Sequence, residues 1–483
     1  MASIPVPILK DETYTFKGFV SQADKQESDY LLLPFDVPDG IVRLDVRYEY
    51  SDETGAELWA PSGNVIDLGV FDSRGSEFIT ARGFRGTSGS FRHEFSIGLH
   101  EATPGYLAGP IYSGRWCVML GLYRIVPRGC HYRVVVQMTQ GEWEPIPEVE
   151  LYDAGVLCSD ARWYKGDLHC HTHHSDASGT LGDLVQSARA RGLDFLAVTD
   201  HNTISHLREF ARYATAELLL IPGEEITTYY GHANVWGIEK WHDFRAGCAA
   251  DMQRIIDEAS RSGSLVSINH PKEKGPPWTF DPIRGYDCIE AWQAYWFVNN
   301  YQSLAFWDEH LRKGRRITIV GGSDCHMAAP DEDPSPVIIG APTTWVYATE
   351  LSVKGILDGI RAGHVFVNSN PDDGPRVYLV AVYGDVRAVA GDELSVPRGA
   401  EVKFSVEITG ADGMMLRLVS AQGELALVGV EGDDFTYGYA LKVNDTNYLR
   451  VEVIAPPEAD LKTEPAALWV EALSNPIYLR IAS

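Results

Sequence analysis

Residues 165–176 read KGDLHCHTHHSD, and the spacing of the histidines in this stretch sets what the rest of the chain must supply. His169, His171 and Asp176 follow the pattern H-x-H-x4-D. Side chains alternate along a short strand, so both histidines point the same way and make a two-imidazole pincer suited to a metal. One HxH pair is weak evidence, because such histidines are often simply hydrogen-bonded at a surface or in a core. Its weight depends on companions elsewhere in the chain.

Outward from this stretch, residues 161–375 alternate strand-like and helix-like segments. GDLHCH leads to LGDLVQSARARG, DFLAVTDH to SHLREFARYA, and LLLIPGEEIT to CAADMQRIIDEASRSG. SLVSINHP and DCIEAWQA precede SLAFWDEHLRKG, and RITIVGGSDCH precedes LSVKGILDGIRAG. Repeated β-α units of this length predict an α/β fold with a parallel sheet closed, or nearly closed, into a barrel. Chemistry then collects at the C-terminal ends of the strands. His169, His171, His201, Glu225, His270, Asp324 and His326 all fall at or just past such ends, and the region holds twelve of the fifteen histidines.

The flanks read differently. Residues 1–140 carry runs such as YLLLPFDV, IVRLDVRYEY and HYRVVVQM between turn clusters such as VPDG and GTSGS, which predict a β-sandwich-like domain. Its expected role is stability or a lid. Residues 141–160, containing the acidic, Pro-interrupted GEWEPIPEVELYDAG, read as a linker. Residues 376–483 return to β in RVYLVAVYG, EVKFSVEITG and NYLRVEVIA, a second, smaller β-domain, with APPEADLKTEP as a solvated loop.

At 483 residues the chain is long enough for about three domains at ~150 residues each. A formal charge of -26 repels polyanions, so nucleic acid is a disfavoured partner and a small molecule the expected one. The opening MASIPVPILKDETY has no secretory or organellar character, and no apolar run is long enough to span a membrane. Seven scattered cysteines without a C-x-x-C fit a reduced, cytoplasmic setting. Cys170 and Cys325, each one residue from a candidate ligand, are expected to face away from it and pack in the barrel.

Five separated pieces, HCHTHHSD, VTDHN, PGEEITTYYGH, INHP and GGSDCH, supply His169, His171, Asp176, His201, Glu225, His232, His270, Asp324 and His326. Imidazoles and carboxylates without a thiolate suit Zn, Mn or Fe held for Lewis-acid work. Glu224 is expected to face solvent, and His173 and His174 to be loop residues. Lys272 and Lys274 read as a solvated loop pair. Asp200, next to His201, is either a group orienting an imidazole or a buried structural carboxylate.

Together GDLHCHTHHSD, GLDFLAVTDHNT, IPGEEITTYYGHANVWGI, INHP, IEAWQA and GGSDCH resemble the polymerase and histidinol phosphatase (PHP) family, most of all its carbaryl-hydrolase-related branch, to which NPIYL near the C-terminus is also similar. The resemblance covers the central region strongly and the flanks weakly. It implies a distorted seven-stranded β/α barrel with two or three divalent ions. By that resemblance one ion takes His169, His171, Glu225 and Asp324; a second takes Glu225 as a bridge with His232 and His270; a third takes Asp176, His201 and His326. It further implies a hydrolase using a hydroxide that bridges two ions, with Glu225, Asp324 and His270 at the reacting centre. Small phosphoesters are the expected substrates. Carbamate or carboxylic ester hydrolysis and a nuclease-type phosphodiesterase are the alternatives. The aromatic stretch 276–307 is expected to supply a pocket wall through Trp278, Tyr295, Phe297 and Tyr301, with Trp292 in the core.

Overall fold

The computed structural model describes residues 8–10, 12–52, 63–142, 145, 152–273, 277–327, 337–445, 447–456 and 468–482. Residues 143, 144 and 146–151 of the expected linker, Lys274, and residues 457–465 of the expected solvated loop lie outside the described residues.

Before residue 142 the chain forms two antiparallel sheets. One runs Ile8–Lys10, Thr13–Val20, Cys130–Gln140, Ile41–Tyr50, Glu94–Gly98, and the other Tyr30–Val37, Gly114–Arg124, Val65–Phe71, Phe84–Thr87. Alternation explains why they face each other. In Tyr30–Val37, Leu31, Leu33, Phe35 and Val37 point inward, and they meet Phe16, Leu44 and Val134 of the other sheet in one core.

The central region is a mixed sheet. Arg162–Asp167, Phe195–Val198 and Leu219–Thr228 pair in parallel, and so do Leu265–Ile268, Cys288–Gln293 and Thr318–Gly322. Between the two parallel groups lies Gly231–Trp236, antiparallel to both of its neighbours. The uninterrupted β-α repeat expected from the sequence therefore fails at one point: Leu219–Thr228 is followed by a tight hairpin instead of a helix. Thr228 Oγ1 closes that hairpin on the Gly231 carbonyl at 2.7 Å.

Among the described residues no ladder joins Arg162–Asp167 to Thr318–Gly322. The segments that leave these strands nevertheless meet in one parallel bridge, Cys170 to Cys325. His171 N–H donates to the Cys325 carbonyl at 3.0 Å and Asp324 N–H to the His169 carbonyl at 2.8 Å. Both cysteines are buried, in keeping with the packing role expected for them.

The amphipathic segments form the helices Leu181–Ala190, Ala249–Arg261, Asn300–Arg312 and Val353–Ala362. Thr180 and Asp183 make a reciprocal cap at the start of the first of these. SHLREFARYA gives only the 3-10 turn Ser205–Glu209 and the short helix Phe210–Tyr213.

Past the central strands the sheet continues without a break. Thr343–Ala348 pairs with Arg162–Asp167, then Val365–Asn368 follows, and Val470–Ser474, Asn447–Ile454 and Met415–Ser420 extend the same sheet. The C-terminal strands are thus hydrogen-bonded to the central region and do more than pack on it. Asn475, in the NPIYL motif, fastens this join: its side chain pairs with both the N–H and the carbonyl of Ile319 and with the Val365 carbonyl, at 2.9, 3.3 and 3.0 Å. Among the described residues no helix is long and apolar enough to cross a membrane.

Candidate metal centre

Four strand ends and one hairpin bring the nine candidate residues together. His169 and His171 follow Arg162–Asp167, His201 follows Phe195–Val198, His270 follows Leu265–Ile268, and Asp324 and His326 follow Thr318–Gly322. Glu225 and His232 depart from the strand-end rule. Both lie inside the Leu219–Thr228/Gly231–Trp236 hairpin, where Glu225 pairs with Asn234 and Thr227 with His232.

Glu225 is fully buried at the middle of the group. Its Oε1 lies 3.3 Å from His169 Nε2, 3.3 Å from His232 Nδ1 and 3.5 Å from His270 Nε2. Its Oε2 lies 2.6 Å from His201 Nδ1 and 3.7 Å from His171 Nε2. Asp324 Oδ1 stands 2.9 Å from His171 Nε2 and 3.3 Å from His169 Nε2. Toward solvent, Asp176 Oδ1 is 3.2 Å from His326 Nε2 and 3.5 Å from His201 Nε2.

Three overlapping sets have donor atoms within 4.8 Å of one another: His169, Glu225 and His270; His169, His171 and Asp324; and His171, Asp176, His201 and His326. The donor atoms are also free to act. His169 Nε2, His171 Nε2, Asp176 Oδ1 and Asp324 Oδ1 are buried and have no hydrogen-bond partner. Buried polar atoms are rarely left so, and a cluster of them converging on common points fits divalent cations. These residues therefore suit the ions that the sequence pattern implies.

The charge balance points the same way. Burial holds His171 down at about 4, reinforced by His201 and His326, so it is a neutral imidazole with a lone pair to give. Burial opposes a charge on His326, yet Asp176 and Asp324 override it and raise it to about 10. Carboxylates that draw a proton this strongly also draw a metal cation.

Supporting side chains aim these donors, and sequence reasoning assigned none of them. Glu290 Oε1 sits 2.8 Å from His169 Nδ1. Asn269 Nδ2 donates to Glu225 Oε1 at 2.9 Å, and Gln293 Nε2 to Asp324 Oδ2 at 2.7 Å. Lys272 donates to Gln293 Oε1 at 2.6 Å and to Asn300 Oδ1 at 2.9 Å. The signal in the sequence is the position of Glu290 and Gln293 in the quoted IEAWQA stretch and of Asn269 in INHP. His270 and Asp324 take positive φ, 30° and 53°, a conformation that costs energy in non-glycine residues and that the surrounding bonds must hold.

Two expectations are corrected here. Glu224 is buried with Glu225, on the opposite face of the strand, and accepts the His242 N–H at 2.9 Å. Lys272 is buried too, through the bonds just described. His174 lies in a turn, as expected of a loop residue, and is buried there, 2.7 Å from Ser205 Oγ. For Asp200 both readings meet: it is buried, accepts from Thr172 N–H and Thr172 Oγ1 at 2.7 Å each, and lies 3.0 Å from His206 Nδ1, which is outside the nine.

Known proteins are similar to parts of this chain. The family profile of the PHP domain matches residues 167–339. A 5'-3' exoribonuclease of Haemophilus influenzae is 44% identical over 66 residues, 13% of this chain and 24% of its own length. The DNA polymerase/3'-5' exonuclease PolX of Bacillus subtilis is 32% identical over 79 residues, 16% of this chain and 13% of its own. The chain thus spans a quarter or less of these curated relatives.

Among solved structures, a two-domain Bacteroides vulgatus protein containing a predicted PHP-like metal-dependent phosphoesterase aligns with TM-score 0.35 and 17% identity, over 69% of this chain and all of that one. An amidohydrolase from Chromobacterium violaceum aligns with TM-score 0.26 and 16% identity, over 43% of this chain and 98% of that one. Residues 167–339, the stretch that matches the PHP domain profile, hold all nine candidate ligands.

Proposed function

We propose that this protein is a metal-dependent hydrolase acting on small phosphoesters, with two to three divalent ions (Zn, Mn or Fe) held by the nine residues around Glu225. The observation that carries this reading is the convergence of unpartnered, buried donor atoms of His169, His171, Asp176 and Asp324 on a buried Glu225. Ions bound there supply activation of a water nucleophile and charge stabilisation at the ester oxygens.

The chain's own residues do the rest. Glu225, with histidines near both of its oxygens, would be shared between neighbouring ions. Glu290, Asn269 and Gln293 hold His169, Glu225 and Asp324 in their orientations. Asp176 and His326 are each 33% exposed, whereas Glu225 is buried, so substrate enters on their side. With all seven cysteines free and a charge of -26, a cytoplasmic setting and a small substrate belong to the same proposal. The two curated relatives are an exoribonuclease and a DNA polymerase/exonuclease; the strong negative charge of this chain counts against long polyanions.

Elemental analysis after metal reconstitution, combined with p-nitrophenyl phosphomonoester, phosphodiester, carboxyester and carbamate substrates, tests the reading. Phosphoesters are expected to turn over fastest. A preference for carbamate or carboxyester would move the assignment to the carbaryl-hydrolase type, since a polarised carbonyl asks for a similar site. Activity that survives exhaustive chelation would remove the metal from it altogether.

A further inference from the structure

We propose that His173, His174 and Glu209 form a separate metal site, outside the centre around Glu225, that binds one zinc-class ion and staples the loop bearing Asp176 to the Ser205–Glu209 turn. The donor atoms of the three residues lie within 4.8 Å of one another. His174 Nε2 and Glu209 Oε1 are 3.2 Å apart, close to the roughly 3.3–3.6 Å between two ligands of a tetrahedral zinc with bonds of about 2.0–2.2 Å. His173 Nδ1 is a buried atom without a hydrogen-bond partner, and the two imidazole rings are 4.7 Å apart.

The ring of His174 is held from behind: its Nδ1 lies 2.7 Å from Ser205 Oγ, which also accepts from Gly105 N–H at 3.0 Å and from the Thr203 hydroxyl at 3.3 Å. Nε2 is thereby aimed at Glu209. A histidine oriented through its other ring nitrogen is the usual form of a metal ligand.

The location gives the site a task. His173 and His174 sit between His171 and Asp176, and Ser205–Glu209 begins just past His201. Arg92 of the N-terminal sheets grips the same loop, donating to the His173 and Ser175 carbonyls at 2.5 and 2.9 Å. An ion here ties together the two segments that carry the solvent-side donors of the main centre.

The test compares the intact wild-type chain with Glu209→Gln and His173→Asn, each dialysed against buffered zinc. Zinc equivalents are counted by elemental analysis, and melting temperature is read with and without zinc. The Glu209→Gln change keeps an oxygen acceptor for His174 but removes the anionic ligand, so a site made only of hydrogen bonds is left intact. The expected result is one equivalent fewer in each variant and loss of part of the zinc-dependent rise in melting temperature. Equal equivalents and equal zinc-dependent shifts in all three proteins would overturn the site. Because the count is a difference between proteins, it stands or falls apart from the number of ions held around Glu225.

Discussion

Glu290 Oε1 lies 2.8 Å from His169 Nδ1, and its Oε2 accepts the His270 backbone N–H at 3.1 Å, so one carboxylate positions two candidate ligands. Its charge keeps the His169 proton on Nδ1 and leaves Nε2 free to face Glu225 and Asp324. Gly322 makes room for the pair: a Cβ there would fall 2.3 Å from His169 Cβ and 2.8 Å from Glu290 Oε1. Glu290→Gln is expected to weaken metal binding about 10-fold and Glu290→Ala up to about 100-fold. Competition titration against a chromophoric chelator measures this, and unchanged affinity in both variants would remove the orienting role.

Glu225→Ala is expected to cost far more activity than His326→Ala. Glu225 approaches five histidines through its two oxygens and is fully buried, whereas His326 is 33% exposed at the rim. Losing the bridge removes a shared ligand; losing His326 removes one donor from the outermost set. Steady-state kcat and bound metal, measured together on both variants, check it. Equal, small losses would mean that the bridge lies elsewhere.

That these nine residues belong together is legible in the sequence because metal chemistry restricts residue type and each stands at a recognisable short motif. What the sequence hides follows from burial and from chain reversal. Lys272 and Glu224 look solvated because charged residues usually are, and only the tertiary partners Gln293, Asn300 and the His242 N–H make their burial possible. The Gly231–Trp236 strand is hidden because its apolar run follows a tight turn where the β-α pattern demands a helix. The continuity of the C-terminal strands with the central sheet depends on Asn475 and on pairing between distant segments, which local pattern does not encode.

Lys272→Met is expected to lower kcat/KM roughly 10-fold and to destabilise the fold by about 1–3 kcal/mol, through the acceptor left unpaired at Gln293 Oε1, while Asn300 Oδ1 keeps the Gln293 N–H. Lys272 accounts for which way the Gln293 amide points: an ammonium at 2.6 Å fixes the oxygen, so the NH2 must face Asp324 Oδ2 at 2.7 Å. Asp324 Oδ1 is then left for a metal. Denaturant unfolding gives the stability part, and metal affinity separates it from misaiming of Asp324. A variant that loses stability but keeps wild-type affinity would show that Lys272 only packs.

Stability should fall as pH rises from about 4 to about 6 through one group, Asp67. Burial pushes its carboxyl up to about 6, with the Tyr229 hydrogen bond and Lys25 opposing. Tyr229 Oη donates to Asp67 Oδ2 at 2.7 Å across the contact between the N-terminal sheets and the metal-site hairpin. Because the folded value exceeds the unfolded one near 3.9, the native state binds this proton more tightly, and the contribution is full below about 4 and lost above about 6. Asp67 keeps an edge to solvent, so about 1 kcal/mol is expected. Urea midpoints of wild type and Asp67→Asn at pH 4 and pH 7 measure the difference. Parallel pH dependence in both would assign the effect to other groups.

Selectivity for the leaving group should depend on Trp278. Of the aromatic residues between 277 and 307, Trp292, Trp296 and Trp307 are buried in the core, as expected for Trp292. Tyr295 stacks on Phe297 at 5.0 Å and 4°, and Phe297 is 62% exposed. Trp278 is different. It meets Phe280 edge-on at 5.2 Å and covers Gly231, where a Cβ would lie 2.7 Å from its ring. Its open face lines a surface pocket of about 360 Å³ with Pro271, Lys272, Gln302 and Phe306. Pro271 and Lys272 directly follow His270, so the pocket adjoins the metal-site loop. An aryl group there gains burial and ring contact that a methyl group cannot, roughly 5–10-fold in affinity. Trp278→Ala is therefore expected to raise KM for an aryl phosphoester by that factor with kcat nearly unchanged, because the contact exists equally in ground and transition states. The methyl analogue should be almost unaffected. Tyr295→Ala, outside this pocket, should leave the aryl-to-methyl ratio where it was. Equal losses on both substrates, or a Trp278→Ala protein with a lowered melting temperature and unchanged ratio, would place this ring in the core and not in the pocket wall.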